Sequence, residues 1–582
     1  MLDYTPEQIA FLESSGKVVL HACPGSGKTT VVAQKMINYL QHWNRPHQGI
    51  AVLSFTNVAS NEIDRQAAEI LPEGFSIDTP HYVGTLDSFI DGFIFLRFGY
   101  LLLEKPKRPI IVSADITNTY LYWRAECHRN CLSSIGDFRW TSSGILTKKG
   151  NRITCEGNGR YGPPCVQFKK ILLKKGLFFQ DEVASLSYIL LEKHPEIAKC
   201  VASRFPVIIL DEAQDTSREQ MRILDLLCNA GLESIYIVGD PDQSIYEWRN
   251  ANPESFLEKM HDSDWTQLLL TKNFRSSQLI CNATHVFSDI YKDRVANEAL
   301  GLCAAYNKKP TLFLYEKEIT EDSIIQKFIE ECAACNIALS SDKVAIVKRG
   351  KIYADNCVDK LWKTTETELL ARASFEWMSG NRRKAYSFCE KALFQLTIKS
   401  SKDIDTSIEQ EISNIMPYSQ WKRFVIETLI KLPSAIEQCD QWVKNCRDVV
   451  NEELVAHNMI LLNGASITDA IRIKTRDNRI PDFMKESIKK YFEVKSQTEY
   501  TYSSVHGVKG ESFDALLLFI QGIRGNTLTP SFLAKGNTDS ELMRIAYVAM
   551  TRPKKLLVVA MPKSKADLSI RFPKDVWDYV EL

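Results

Sequence analysis

Ala22-Cys23-Pro24-Gly25-Ser26-Gly27-Lys28-Thr29-Thr30 follows the apolar run Lys17-Val18-Val19-Leu20 and leads into a helix-like stretch from Val31 to Leu40. A buried strand, a loop of small residues and a helix start, in that order, make a phosphate-binding loop. Gly25 and Gly27 let backbone N–H groups turn toward an anion, Lys28 reaches the outer phosphates of a nucleotide, and the Thr29 hydroxyl holds Mg²⁺. The stretch therefore predicts ATP and Mg²⁺ as ligands, cradled by residues 22–30. Ala22 stands where the general pattern has its first glycine, so the strand before and the helix after carry the assignment.

Outward from this loop, short apolar runs recur at Ile50–Phe55, Val207–Leu210 and Ser234–Val238, each followed by a helix-like stretch. Unalternating apolar strands interleaved with helices argue for a parallel sheet covered on both faces. A second set, Thr311–Tyr315, Lys343–Val347, Ala515–Ile520 and Lys555–Ala560, implies a second α/β unit. Two long segments with few strand signals interrupt these units and are predicted to be mainly helical insertions. The expected division is 1–92 with 203–270 for the first unit, 93–202 for its insertion, 271–349 with 500–582 for the second unit, and 350–499 for its insertion. Within the last, Glu368–Leu396 places Ala371, Ala373, Trp377, Ala385, Cys389 and Ala392 at helical spacing, as in one helical-hairpin repeat.

At 582 residues the chain exceeds one core, and 45% apolar with 25% charged residues is ordinary for a soluble globular protein. The 72 basic and 72 acidic residues cancel, so any nucleic-acid contact must come from a local groove. Neither a signal peptide nor a membrane span is expected, which points to the cytoplasm. Fifteen cysteines fit free thiols in a reducing compartment. Cys127, Cys131, Cys155 and Cys165 lie near His128 as a candidate metal or iron–sulfur set. Their spacing matches no pair-of-pairs pattern, and free thiols are the favoured reading there and at Cys332 and Cys335.

Three further motifs carry chemistry. Asp211-Glu212-Ala213-Gln214-Asp215 ends an apolar strand, where Asp211 would hold Mg²⁺ and Glu212 would polarise the attacking water. In isolation such an acidic stretch reads as a helix start; beside a phosphate loop it reads as a catalytic pair. Gly239-Asp240-Pro241-Asp242-Gln243 offers the Gln243 amide to a γ-phosphate or to water. Just beyond, Tyr246 and Trp248 supply flat faces suited to nucleobases, with Arg249 beside them.

With these motifs in order from Tyr4 to Lys554, the chain resembles superfamily 1A helicases of the UvrD, Rep and PcrA type. That resemblance implies two RecA-like domains, a P-loop NTPase core, and movement on single-stranded DNA from 3′ to 5′. It also implies residue roles. Gln8 would read adenine. Phe55 would stack on a base while Thr56 and Asn57 contact backbone phosphate. Thr85 belongs to the next DNA-contacting motif, in which Asp87 replaces the usual His. Phe274 would stack on adenine, and Arg275 and Arg552 would reach the γ-phosphate. His506 and Lys509 match the motif that couples DNA to the ATP site; there Glu511, displaced by one position, would meet ribose or Mg²⁺. In size and layout the chain also resembles the helicase-like subunit of Gabija anti-phage systems. The expected function is thus an ATP-dependent helicase or translocase on single-stranded or tailed duplex DNA. The alternative is a nucleic-acid-sensing ATPase subunit that regulates a partner nuclease.

Overall fold

The computed structural model describes residues 4–56, 59–60, 62–63, 65–66, 79–112, 138–141, 144–147, 164–247, 251–290, 296–316, 318–349, 362–398, 408, 412, 415–473, 487–494, 500–520 and 528–582. The apolar run before the phosphate loop is strand β1 (Lys17–Ala22), followed by β2 (Ile50–Ser54) and β3 (Tyr82–Thr85). The chain then leaves the sheet. It forms short strands β4 (Ile110–Val112), β5 (Phe138–Thr141), β6 (Gly144–Thr147) and β7 (Leu177–Phe179), pairing β4 with β7 and β5 with β6. Helices Pro164–Lys175, Gln180–Lys193 and Pro195–Arg204 lie in the same excursion, so among the described residues this insertion is mainly helical, as expected, with two short strand pairs added.

Strands β8 (Val207–Leu210), β9 (Ser234–Gly239) and β10 (Thr266–Leu270) complete a six-stranded sheet in the order β10-β1-β9-β8-β2-β3. Every pair in it is parallel, so the loops after β1, β8 and β9 leave from one edge. Alternate residues of β1 serve two cores. Val18, Leu20 and Ala22 pack with Val31, Met36 and Ile37 of helix Lys28–Gln41, while Val19 packs with Leu190 and Leu224 on the opposite face. Burial on both sides is why the run is apolar without interruption.

The second sheet contains β11 (Thr311–Tyr315), β12 (Val344–Lys348), β13 (Thr501–Ser504), β14 (Phe513–Phe519), β15 (Pro553–Pro562) and β16 (Asp578–Glu581). Its order is β13-β12-β14-β15-β11-β16, again all parallel. Between β12 and β13, helices Thr365–Met378, Arg382–Thr397, Tyr418–Lys431 and Cys439–Ala456 enclose a separate core around Trp421 and Trp442. The first two form a hairpin in which Ala371, Ala373, Ala385, Cys389 and Ala392 are buried, small side chains that let the helices approach closely. Of the suspected cysteine set, Cys127, Cys131 and Cys155 lie outside the described residues, as does His128; Cys165 falls in helix Pro164–Lys175. Cys332 is a buried free thiol, and Cys335 caps its helix. No helix among the described residues is long and apolar enough to cross a membrane.

Candidate nucleotide and nucleic-acid site

The loop after β1 turns on two glycines in the left-handed region, Gly25 at φ 74° and Gly27 at φ 76°, a conformation only glycine adopts without strain. Gly27 is also the residue from which helix Lys28–Gln41 starts, aiming that helix's free N–H groups into the loop. A Cβ on Gly25 would lie 2.7 Å from Asn273 Oδ1, so the backbone there is approached as closely as it can be. Ser26 Oγ is buried without a hydrogen-bond partner. Ala22, Cys23 and Pro24 are buried beneath the loop, and Thr30 continues the helix behind Lys28 and Thr29. An orphaned hydroxyl, a positive helix end and a loop with no room for side chains fit a phosphate group.

Gln8 reaches this loop from helix Pro6–Glu13. Its Nε2 donates to Ser26 O at 3.2 Å, and its Oε1 accepts from Thr5 N at 3.0 Å in a capping box. Both ends of the amide are therefore engaged in holding the helix start against the loop.

The acidic stretch closes the other side. Lys28 Nζ sits 2.8 Å from Glu212 Oε1 and 3.9 Å from Asp211 Oδ1, and Thr29 Oγ1 donates to Asp211 Oδ2 at 3.2 Å. Burial would lower the Lys28 pKa, but Glu212 and then Asp211 outweigh it and raise it, so the ammonium stays charged. Asp211 is pushed up by burial against the pull of Lys28. Glu212 goes the other way: burial would raise it, yet Lys28 and Lys509 hold it well below the usual carboxylate range. Two adjacent carboxyls are thereby split in character, the pattern of a site with divided acid–base duties. Glu212 itself stands at φ 55°, a left-handed conformation that costs a non-glycine residue about 1 kcal/mol or more. The pair Thr29 and Asp211 presents oxygen donors, the set a hard divalent cation takes.

Residues from the second sheet's domain complete the cleft. Phe274 N donates to Gly25 O at 2.8 Å, carrying the Asn273–Arg275 turn onto the phosphate loop. Arg275 Nη1 donates to Thr551 O at 3.1 Å, and Arg552 Nη2 bonds Gln243 Oε1. Burial, and then the neighbouring Arg552, bring the Arg275 guanidinium down to about 9; burial lowers Arg552 as well, against the pull of Glu212 and Asp240. Half-buried Arg275 and buried Arg552 form a strongly cationic wall that a polyphosphate would neutralise. Gln243 has both amide ends occupied, its Nε2 donating to Asp240 Oδ2 at 2.5 Å, so it links Arg552 to the β9 end.

A second constellation lies beside the first. Phe55 and Tyr246 have ring centroids 5.0 Å apart, and Tyr246 and His506 have centroids 5.6 Å apart. His506 Nε2 lies 2.9 Å from Ile245 O, and the Lys509 ammonium lies 4.9 Å from the Tyr246 ring centroid. Lys509 also pairs with Asp215 and donates to Gln243 O at 2.7 Å, so one lysine touches the aromatic group and the acidic motif together. Thr56 caps the next turn, its Oγ1 accepting from Ala59 N at 3.2 Å. Thr85 is likewise a helix cap, accepting from Ser88 N at 3.1 Å, and Asp87 is engaged by Gln220 Nε2 at 2.7 Å. Glu511 is exposed. Asn57, Trp248 and Arg249 lie outside the described residues.

Three participants had no role assigned from sequence. Gln214 donates to Glu212 Oε2 at 2.5 Å and accepts from Asp240 N at 3.0 Å, fixing one acidic loop to the next. Buried Arg544 donates to Ser244 O at 2.7 Å and pairs with Glu247, joining helix Glu541–Met550 to the loop after β9. Asp242 receives Ser288 Oγ, Asp289 N at 3.0 Å and Ile290 N at 3.3 Å, a second tie between the domains. Gln214 and Asp242 lie inside motifs legible in the sequence; their partners Asp240 and Ser288 to Ile290, farther along the chain, were not.

The family model of the UvrD/REP helicase N-terminal domain matches residues 4–98 and 159–264, and that of the UvrD-like helicase C-terminal domain matches residues 387–564. The Gabija protein GajB of Bacillus cereus (strain VD045) is 25% identical over 567 residues, covering 96% of this chain and 95% of that protein. The ATP-dependent DNA helicase Rep of Buchnera aphidicola subsp. Acyrthosiphon pisum is 23% identical, with coverage of 94% and 92%. The ATP-dependent DNA helicase PcrA of Staphylococcus aureus (strain Mu50 / ATCC 700699) is 20% identical, with coverage of 98% and 86%.

Proposed function

On the premise that this chain belongs to the UvrD-like helicase family, we propose that it is an ATP-driven motor that moves along single-stranded DNA from 3′ to 5′ and separates tailed duplexes. The observation that carries this reading is the convergence, in one cleft, of Lys28, Asp211 and Glu212 from the first domain with Arg275 and Arg552 from the second. A nucleotide bound there touches both domains, so its hydrolysis changes what holds them together.

The resting ion pairs suggest the order of events. Lys28 neutralises Glu212 until a triphosphate competes for the ammonium; once Lys28 turns to the phosphate oxygens, Glu212 is released to orient and deprotonate water. Mg²⁺ held by Thr29 and Asp211 would supply Lewis-acid polarisation of the phosphoryl oxygens. Arg552, now bonded to Gln243, and Arg275 would meet the charge that grows on the transferred group. Lys509 and His506 would report the state of that site to Phe55 and Tyr246, on which bases stack.

A strand-displacement assay with 3′- and 5′-tailed duplexes tests the reading. Release from the 3′-tailed substrate alone is expected, and Tyr246→Ala should weaken single-strand binding by about 1 to 3 kcal/mol, the worth of one stacked base. Hydrolysis stimulated by single strands with no displacement from either substrate would favour a second reading, to which the near end-to-end similarity to the Gabija protein gives weight. In that reading the chain is a nucleic-acid-sensing ATPase that regulates a partner nuclease in anti-phage defence.

The Asp215–Lys509 pair gives the coupling an acid limit. Burial, opposed by Lys509, pushes Asp215 up to about 6, and its Oδ1 is buried without a partner. Ionisation, and with it the pair, is therefore lost as pH falls through about 6. Because the folded value lies above the ordinary 3.8, the fold favours the protonated form: this group's contribution to stability declines as pH rises from about 4 to 6. DNA-stimulated turnover should thus drop on the acid side of 6 without unfolding. Lys509→Met, lacking the pair at every pH, should flatten that limb; an unaltered limb would assign it to other carboxylates.

A further inference from the structure

Away from the cleft, Glu427, Glu453 and His457 offer three metal-competent atoms that lie within 4.8 Å of one another. Glu427 comes from helix Tyr418–Lys431. Glu453 lies in the last turn of Cys439–Ala456, and His457 ends that helix four residues on. The bond from His457 N to Glu453 O, 3.0 Å, keeps the two side chains on one face, and the imidazole packs against Phe424 with ring centroids 5.2 Å apart. His457 Nε2 lies 2.9 Å from Glu427 Oε2 and 3.6 Å from Glu453 Oε2.

Glu453 separates this cluster from an ordinary surface ion pair. Its side chain is 1% exposed. Oε1 meets Lys431, but Oε2 is buried with no hydrogen-bond donor and points at the imidazole nitrogen. Arg423, by contrast, binds the far oxygen of Glu427 at 2.7 Å and leaves Oε2 facing inward. A buried carboxylate oxygen without a donor is costly, and a cation is the partner that removes the cost.

The spacing also fits. Zinc bonds of about 2.0 to 2.2 Å to nitrogen and oxygen set tetrahedral ligand atoms about 3.4 Å apart. The separations of 2.9 and 3.6 Å bracket that edge. Each carboxylate keeps one oxygen that its basic neighbour, Lys431 or Arg423, does not take, and an imidazole ligand favours zinc over magnesium or calcium. We propose that Glu427, Glu453 and His457 bind zinc, with water as the fourth ligand, and that the ion ties helix Tyr418–Lys431 to helix Cys439–Ala456.

The test uses the full chain, stripped with a chelator, free of nucleotide and held in excess Mg²⁺ so that the hydrolytic cleft is blocked. Zinc titrated against a chromogenic chelator should show one more equivalent bound by the wild type than by His457→Gln or Glu453→Gln. Counting the difference cancels zinc held by cysteines elsewhere. His457→Gln keeps a polar side chain at a half-buried position, and circular dichroism checks its fold. Cobalt added to the wild type should give the visible bands of a four-coordinate nitrogen and oxygen site, and these should vanish in His457→Gln. Equal zinc stoichiometry in wild type and either variant, or no His457-dependent cobalt bands, would overturn the proposal and leave a hydrogen-bonded network that His457 bridges.

Discussion

Lys28→Ala should lower ATP hydrolysis by about 10³-fold or more while leaving the sheet around β1 intact. The phosphates lose the one ammonium that the loop places among them, whereas the pair with Glu212, 2.8 Å away, is one that Lys28 gives up in any case when a triphosphate binds. Lys509 and Gln214 still act on Glu212, so the buried carboxylate is not stranded and the fold should survive. Hydrolysis with and without single-stranded DNA, read beside a thermal melt, checks this. Turnover near the wild-type level in a folded Lys28→Ala protein would remove the nucleotide from this loop.

Arg552→Ala carries the second large effect. Arg552 bonds Gln243 across the cleft and lies at the end of helix Glu541–Met550, whose Arg544 grips the loop after β9. Arginines that meet the transferred phosphoryl group from a second domain are worth about 10³ to 10⁵ in rate. The expected signature is a fall of about 10³ in kcat with a small change in ATP affinity, because the phosphate loop and Lys28 remain. Arg275→Ala should behave alike. The double variant should fall by more than the product of the single effects, since each single removal also relieves the repulsion between the two guanidiniums. Loss of ATP binding with undiminished kcat would instead make both arginines mere ground-state contacts.

The expected strands correspond to all eight inner strands of the two sheets, β1, β2, β8, β9, β11, β12, β14 and β15. The four that escaped, β3, β10, β13 and β16, are the four edges. The physical reason is burial: β8 is buried at every residue, whereas Thr266 and Gln267 of β10 and Asp578 of β16 are exposed. An edge strand needs no continuous apolar run, and without one it leaves little trace in the sequence.

At the site, Lys28, Thr29, Asp211 and Glu212 were legible because their motifs are local, and strand–loop–helix context fixes their direction. Gln8 and Gln243 were visible as amides, but not as amides already engaged at both ends, since those partners lie far along the chain. The same limit hid Arg544, whose partners Ser244 and Glu247 are about 300 positions away.

The link from Phe274 N to Gly25 O, 2.8 Å long, joins two peptide groups and no side chain. Mutation at either position can alter shape or polarity nearby, but it cannot delete a carbonyl, and only proline deletes an amide hydrogen. That seam is therefore almost immune to sequence drift. Whatever parts the two lobes must do so by displacing main chain, which makes their separation a property inherited with the scaffold and not with any one amino acid.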